Sequence, residues 1–338
     1  MSQLVNTYDT YDGAATNRED LHDLISLITP DETPAYSMLN SGARSVKATK
    51  HEWPLDSLAT PDTSNANVQG FTYTFDPTDA PSKVGNYTQI FDKTWLIAET
   101  QEAVDKAGKK SEVAYQKTKK GMEIRIDIEA AILMNQASVA GSGSVPPRMA
   151  GLRAWLASND SMGTNGSSGG FNSSTGVVDA ATNGDQRAFT KTILDGVIET
   201  TYKSGGSPKK LMVSPYVKRV FSTFMSDTNV AAFRMPLDGK SEGTIVGAAD
   251  VYLSDFGRID VIPNRQMARV GASLARNAYL IDDGKARLGW LRRIKEDKDV
   301  KKDGDAIPGV LKAEVTLIVD NEAAHGVAAD LYGMTASS

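Results

Sequence analysis

The spacing of apolar residues changes several times along the first third of the chain. Leu21, Leu24, Ile25 and Ile28 recur at helical intervals behind Asn17, a residue suited to cap a helix over 18–28 that Pro30 would end. A second short helical piece runs from Ala35 to Leu39 and stops at Asn40-Ser41-Gly42. Neither piece has a core of its own, so this arm, with Tyr8 and Tyr11 as isolated anchors, must dock on something else. The pattern then becomes strict alternation: Phe71, Tyr73 and Phe75 share one face and Thr72 and Thr74 the other. A turn over 76–81 follows, and Tyr87, Phe91, Trp95 and Ile97 fall on the odd-numbered face of a returning strand, Tyr87 to Ala98. The two runs read as one long two-stranded ribbon. Isolated ribbons are marginal in water, so the aromatic face predicts a neighbouring surface that covers it.

Ser111-Glu112 opens the next element, a helix running to about Asn135. Ile124, Ile126 and Ile128 alternate with charged residues and, read alone, suggest a strand. The Ala-, Lys-, Glu- and Leu-rich flanks and the four-residue repeat Ile124, Ile128, Ile132 decide for helix. At ~1.5 Å per residue it would be a rod on the order of 35 Å long. From Ser138 to Asp185 the composition turns to Gly, Ser, Asn and Thr around an apolar island, Gly151 to Leu156. Gly163 to Gly170 reads as a mobile surface loop that tolerates shortening. Beyond it come a helix at 190–202, a strand at Leu211-Met212-Val213, a helix from Val217 to Met225, and strands at 250–253 and 258–262. Further strands are expected at 279–281, 286–294 and 311–319. Helices and strands interleaved in this way give a mixed α+β architecture without an internal repeat.

Composition removes several function classes. The chain has 338 residues, 40% hydrophobic and 23% charged, which suits well-formed cores. A net charge of −5 argues against a dedicated nucleic-acid binder held by phosphate contacts. It is compatible with a protein that merely encloses nucleic acid. No cysteine is present, so disulfides, zinc–thiolate sites and thiol nucleophiles are out, as fits a reducing cytoplasm. The N-terminal stretch lacks the basic and apolar regions of a signal peptide, and no run reaches the roughly 18 apolar residues of a membrane span.

Candidate chemistry is thin. His22, His51 and His325 are scattered and form no ligand pair. Gly239-Lys240-Ser241 resembles the end of a phosphate loop, but Arg234 stands where its first glycine belongs. Asp297 and Asp299 hint at a calcium loop, yet Lys301 and Lys302 replace the next ligand and the turn glycine. No Gly-x-Ser-x-Gly elbow occurs, and carboxylate pairs such as Asp282/Asp283 read as surface charge. No catalytic, cofactor-binding or metal residue is nominated. A hydrolase with an unseen serine and carboxylate set is the rival from another class; it predicts a deep pocket of convergent polar groups.

Several short blocks, in order, are similar to one branch of the major capsid proteins of tailed bacteriophages, with the HK97-like fold. They are Asn17-Arg18-Glu19-Asp20-Leu21, Thr29-Pro30-Asp31-Glu32-Thr33-Pro34, His51-Glu52-Trp53 with Asp56-Ser57-Leu58, Gly85-Asn86-Tyr87-Thr88-Gln89-Ile90, and Thr100 to Gly108. Gly151-Leu152 with Trp155-Leu156 adds a weaker point. The likeness is dense from about residue 17 to 156 and looser afterwards.

The resemblance implies an N-terminal arm (1–50), an extended β-hairpin loop reaching over an adjacent subunit (51–98), and a spine helix with the first part of a peripheral domain and its Gly/Ser-rich loop (99–185). An axial domain (186–265) and return strands of the peripheral domain (266–338) would follow. The ribbon's cover is then the neighbouring protomer, with Phe71, Tyr73, Phe75, Tyr87, Phe91 and Trp95 as interface candidates. The implied function is a self-assembling subunit of hexamers and pentamers in an icosahedral head that encloses double-stranded DNA, assembled in the host cytoplasm. Scaffolding, portal and decoration proteins are the further partners. A bacterial nanocompartment shell of the same fold is the nearer rival, distinguished by its contents. The arm begins almost at once, so scaffolding would be a separate protein. Lys83 and Lys93 lie on the ribbon, but neither aligns with a cross-linking position. The lysines at 106, 109, 110, 117, 119 and 120 read either as a solvated face partly paired with Glu112 and Glu123 or as a face toward acidic neighbours or packaged nucleic acid.

Overall fold

The structure is a computed structural model that describes residues 29–75, 78, 80–106, 108–224 and 250–333. The expected helix over 18–28, His22, the Gly239-Lys240-Ser241 triplet and much of the 76–81 turn lie outside them. In chain order the elements begin with α1 (Pro34–Ser41), β1 (Arg44–Ser45), β2 (Lys50–Leu55), β3 (Ser82–Tyr87), β4 (Gln89–Ala98), α2 (Glu99–Ala103) and α3 (Glu112–Leu133). Then come α4 (Leu152–Trp155), β5 (Asp160–Ser161), β6 (Gly170–Asn172), β7 (Val177–Asp179), α5 (Lys191–Lys203), β8 (Lys210–Val213) and α6 (Pro215–Thr223). The last are β9 (Val251–Ser254), β10 (Gly257–Pro263), α7 (Arg265–Val270), α8 (Ala272–Ala275), β11 (Ala278–Ile281), β12 (Ala286–Asp297), β13 (Ala306–Val319) and β14 (Gly326–Ala328).

The ambiguous isoleucine run is helical. Ser111 caps α3, its side chain accepting from the Ala114 amide at 3.1 Å. Ile124, Ile128 and Ile132 are fully buried on one stripe, whereas Ile126 is only half-buried. Each buried isoleucine contributes roughly 1.5–3 kcal/mol, enough for the four-residue repeat to override the local alternation. The stripe packs over a four-stranded sheet in the order β1-β12-β13-β4, whose inner face supplies Leu288, Trp290, Ala313, Val315 and Leu317.

A second sheet, of six strands in the order β5-β14-β11-β8-β10-β9, covers another core formed by α5 and α6. Thr190 and Ser214 cap these helices, and Pro215 occupies the first turn of α6. This sheet draws β5, β8, β9 and β10 from residues 160–263 and β11 and β14 from residues 278–328. The described residues after 265 therefore supply strands to both sheets.

Two sequence expectations are corrected. Residues 71–75 form no strand, and the expected ribbon does not exist: β3 pairs with β2, from Lys50 opposite Tyr87 to Leu55 opposite Ser82. β4 instead joins β13 as the edge of the four-stranded sheet, Ile97 opposite Ile307 and Gln89 opposite Val315. The Gly/Ser-rich loop is also tied down. The amides of Gly163 and Gly184 donate to the Asp330 carboxylate at 3.1 and 2.9 Å, and Ser167 bridges to Thr182. A Cβ on Gly169 would stand 2.4 Å from the Asp179 carbonyl oxygen and 2.6 Å from that of Ala154. The glycines there permit close approach of backbones.

Candidate assembly interface

The strands β2 and β3 are joined by residues 56–81, and those of them that are described are exposed. The root of this hairpin is fixed by one buried side chain. Asn86 donates from Nδ2 to the Leu317 carbonyl at 2.8 Å and accepts at Oδ1 from the amides of Ala150 (2.8 Å) and Tyr87 (3.0 Å). The neighbouring residues add to it. The Thr88 hydroxyl donates to Glu314 at 2.7 Å, and Gln89 Oε1 accepts from Gln136 and from the Met149 amide. Glu314 is in turn paired with Arg292 at 2.8 Å. The block Gly85 to Ile90, which carries part of the resemblance, is thus the joint between hairpin and body. These anchoring roles were not assigned from the sequence; only that block pointed to them.

Gly85 is needed here for space, since a Cβ would meet Glu52 Cγ at 2.7 Å and the His51 carbonyl oxygen at 2.9 Å across the ladder. Lys83 and Lys50 lie 2.5 and 3.1 Å from the Glu52 carboxylate, and their hydrogen bonds hold it below the usual carboxylate range. Trp53 packs on Trp155 with ring centroids 5.4 Å apart, and Trp155 stacks on Phe171, seating the hairpin's inner face on the Gly/Ser-rich region.

Beyond this root several apolar side chains are open to solvent among polar ones. Leu58 is 98% exposed, Phe75 91% and Tyr73 74%, with Val68 also exposed. Phe71 is partly covered, its ring edge-on to Tyr73 at 5.0 Å. The six interface candidates therefore divide. Phe71, Tyr73 and Phe75 remain available on the outer loop, and Tyr87 is half-buried in β3. Phe91 and Trp95, at 8% and 7% exposure, belong to the protomer's own interior. Phe91 joins the α3 core, and Trp95 lies over Gly309, where a Cβ would come within 2.0 Å of its ring. The period-two pattern identified their shared face correctly; within the protomer, α3 and β13 cover it.

The remaining candidates are absorbed by structure. Four of the six lysines around α3 are paired within the chain: Lys106 with Glu102, Lys109 with Glu112, Lys117 with Glu296 and Lys120 with Glu123. Lys93 pairs with Asp127 at 2.6 Å. Asp297 is engaged by Lys312. His325 is buried and accepts at Nδ1 from the Asp282 amide at 3.1 Å; burial pulls its imidazole down to about 4. Among the described residues, no group of three His, Cys, Asp or Glu is placed to hold a metal, and no helix is long and apolar enough to cross a membrane. An open groove of 630 Å³ between β4 and α3 is lined by Leu96, Ile97, Gln101 and Gln116 among others, with no serine or histidine in its wall.

The sequence model of one protein family, described as "SU10 major capsid protein", matches residues 5–332. The chain belongs to this family. A curated relative, the "Major capsid protein" of Escherichia phage Phieco32, is 36% identical over 114 residues; the match spans 33% of this chain and 32% of that one, about a third of each. Solved structures agree over nearly the whole length. One from Gordonia phage Cozz has a TM-score of 0.60 at 12% identity, covering 96% of both chains. The capsid of a native GTA particle gives 0.58 at 12% identity, covering 97% of this chain and 100% of the other. The holo-SrpI encapsulin complex from Synechococcus elongatus gives 0.56 at 11%, covering 99% of each. The fold of this SU10-family chain is therefore the HK97-like one shared by phage capsids and encapsulin shells.

Proposed function

We propose that the chain is the repeating subunit of an icosahedral phage head, forming hexamers and pentamers that enclose double-stranded DNA, with no catalytic role and no cofactor. The observation that carries this reading is the hairpin: a root fixed by Asn86, Thr88 and Gln89, and beyond it an outer loop displaying Leu58, Val68, Tyr73 and Phe75 to solvent. A lone protomer gains nothing from that display, whereas a neighbouring copy would bury it. One standard interface removes ~1,600 Å² from water, and closure of many such contacts is set by symmetry. The domain reading is an arm (1–50), an extended loop whose outer part ends at the 82–87 strand, a spine-helix region (99–185), an axial region built on 186–265, and C-terminal strands shared between the two sheets. The assembled state would be the virion shell, formed in the host cytoplasm, with scaffolding, portal and decoration proteins as further partners.

Electron microscopy of particles purified after expression, combined with analysis of their contents, tests the reading. Closed shells that package DNA in the infected host support it. Shells holding a cargo protein and no nucleic acid would move the assignment to the nanocompartment alternative, which shares the fold. A stable monomer that never assembles would end both.

A further inference from the structure

The strongest unexplained group in the body is a carboxylate. Glu129 sits on α3, fully buried, in the middle of the isoleucine stripe. Its partners are three nitrogen donors. Oε1 accepts from the Ala35 amide at 3.0 Å and from Asn264 Nδ2 at 2.6 Å, and Oε2 accepts from the Tyr36 amide. Ala35 and Tyr36 are in the first turn of α1, whose own preceding residue, Thr33, supplies no side-chain cap. The first-turn amides of a helix have no partner within it. Here they are met by an acceptor 94 and 93 residues further along the chain.

The same group organises the other wall. Asn264 uses its oxygen to accept from the Gln266 amide at 2.9 Å, starting α7. Gln266 then donates from Nε2 to the carbonyls of Pro30 and Glu32 at 2.8 and 3.2 Å. Arg269 reaches the Pro30 carbonyl at 3.3 Å, and Arg265 stands 3.6 Å from the Glu32 carboxylate. Residues 30–36 are therefore gripped between α3 and α7, by Glu129 at the first turn of α1 and by Gln266, Arg269 and Arg265 at residues 30–32, with Ala35 and Leu39 adding the apolar seat.

We propose that Glu129 is the latch of the N-terminal arm: its contacts hold 30–41 on the body as a unit, and breaking them frees that unit while α3 and both sheets stay folded. Desolvation, the dominant influence, raises the Glu129 carboxyl above the usual carboxylate range, and the three donors offset this only in part. The arm and the rest also differ in how they are held: beside its apolar seat, the arm is gripped by the polar contacts of Glu129, Gln266 and Arg269, whereas the body is held by apolar packing under two sheets.

Hydrogen–deuterium exchange on the full-length, unassembled chain tests this, comparing the unmodified protein with Glu129→Gln. Losing a charge-assisted hydrogen bond corresponds to roughly tenfold in an opening equilibrium. The expected result is at least a tenfold faster exchange across 35–41 in the variant, with the amides of 124–132 and 311–319 unchanged. In the unmodified protein, 35–41 should already exchange together and ahead of 124–132, a readout that does not depend on the variant folding. Equal protection of the arm and the α3 core in the unmodified protein would overturn the proposal. So would a variant in which the arm is unaffected or in which arm and core accelerate together.

Discussion

Replacing Asn86 with alanine removes the side chain that joins hairpin to body and leaves its partners behind. The Ala150 amide loses an acceptor at 2.8 Å and the Leu317 carbonyl a donor at 2.8 Å, both where Asn86 is fully buried. Each orphaned buried group costs about 1–3 kcal/mol, and the small void adds about 1 more. The expected loss is therefore about 3–7 kcal/mol, a large share of the roughly 5–15 kcal/mol that holds a domain folded. Thr88 and Thr316 still tie the root, through Glu314 and the Tyr87 carbonyl, so the hairpin should loosen rather than detach. Urea unfolding of the unassembled subunit would measure the loss, and hydrogen exchange at Ala150 would locate it. A loss below about 1 kcal/mol with the Ala150 amide still protected would refute the reasoning.

Three further outcomes are expected. Phe75→Asp, at the exposed loop, should shift subunit stability by less than about 0.5 kcal/mol while sharply lowering the yield of closed particles by microscopy. Gly169→Ala places a Cβ against two backbone carbonyls and should destabilise the subunit by about 1–3 kcal/mol in chemical unfolding, as should shortening the 163–170 segment. His325 is neutral in the folded chain, its imidazole pulled down to about 4, while unfolding restores the ordinary value near 6.5. The unfolded state binds the extra proton between these values, so stability falls as pH drops through about 6.5 and levels off below about 4, by about 3 kcal/mol in all. His325→Asn, which keeps an acceptor for the Asp282 amide, should flatten that slope in unfolding titrations at pH 7 and 4.5.

What the sequence disclosed depended on the kind of signal. Long helical repeats and capped starts, as at Ser111, Thr190 and Ser214-Pro215, fixed α3, α5 and α6 closely, because the stripe that defines each helix also packs it. Alternation identified the buried face of β4 but not its partner. Period two says which side chains share a face and nothing about which strand lies alongside, so Tyr87–Ala98 was joined to 71–76 when its ladder partner is more than 200 residues away. Phe71-Thr72-Tyr73-Thr74-Phe75 has the strand pattern and no partner strand among the described residues. Glycine content misled in a similar way, because the composition of a mobile loop and that of two backbones in near contact are the same. Glu129 gave no local signal at all. It follows Ile128 and continues the run of charges at 123, 125 and 127, and only the folded chain brings α1 and Asn264 to it.

The pairing of early with late segments constrains how a subunit is born. β4 is an incomplete edge until β13, which begins at Ala306, has been synthesised, and the six-stranded sheet lacks an inner member until β14 at 326–328 emerges. Long-range pairings of this kind form slowly and last. A chain released before β13 and β14 have been made therefore has two open sheets and is not a near-native subunit. Such fragments cannot present a correctly rooted hairpin to a neighbour, so proofreading of the shell against truncated copies is built into the topology, ahead of any chaperone or protease.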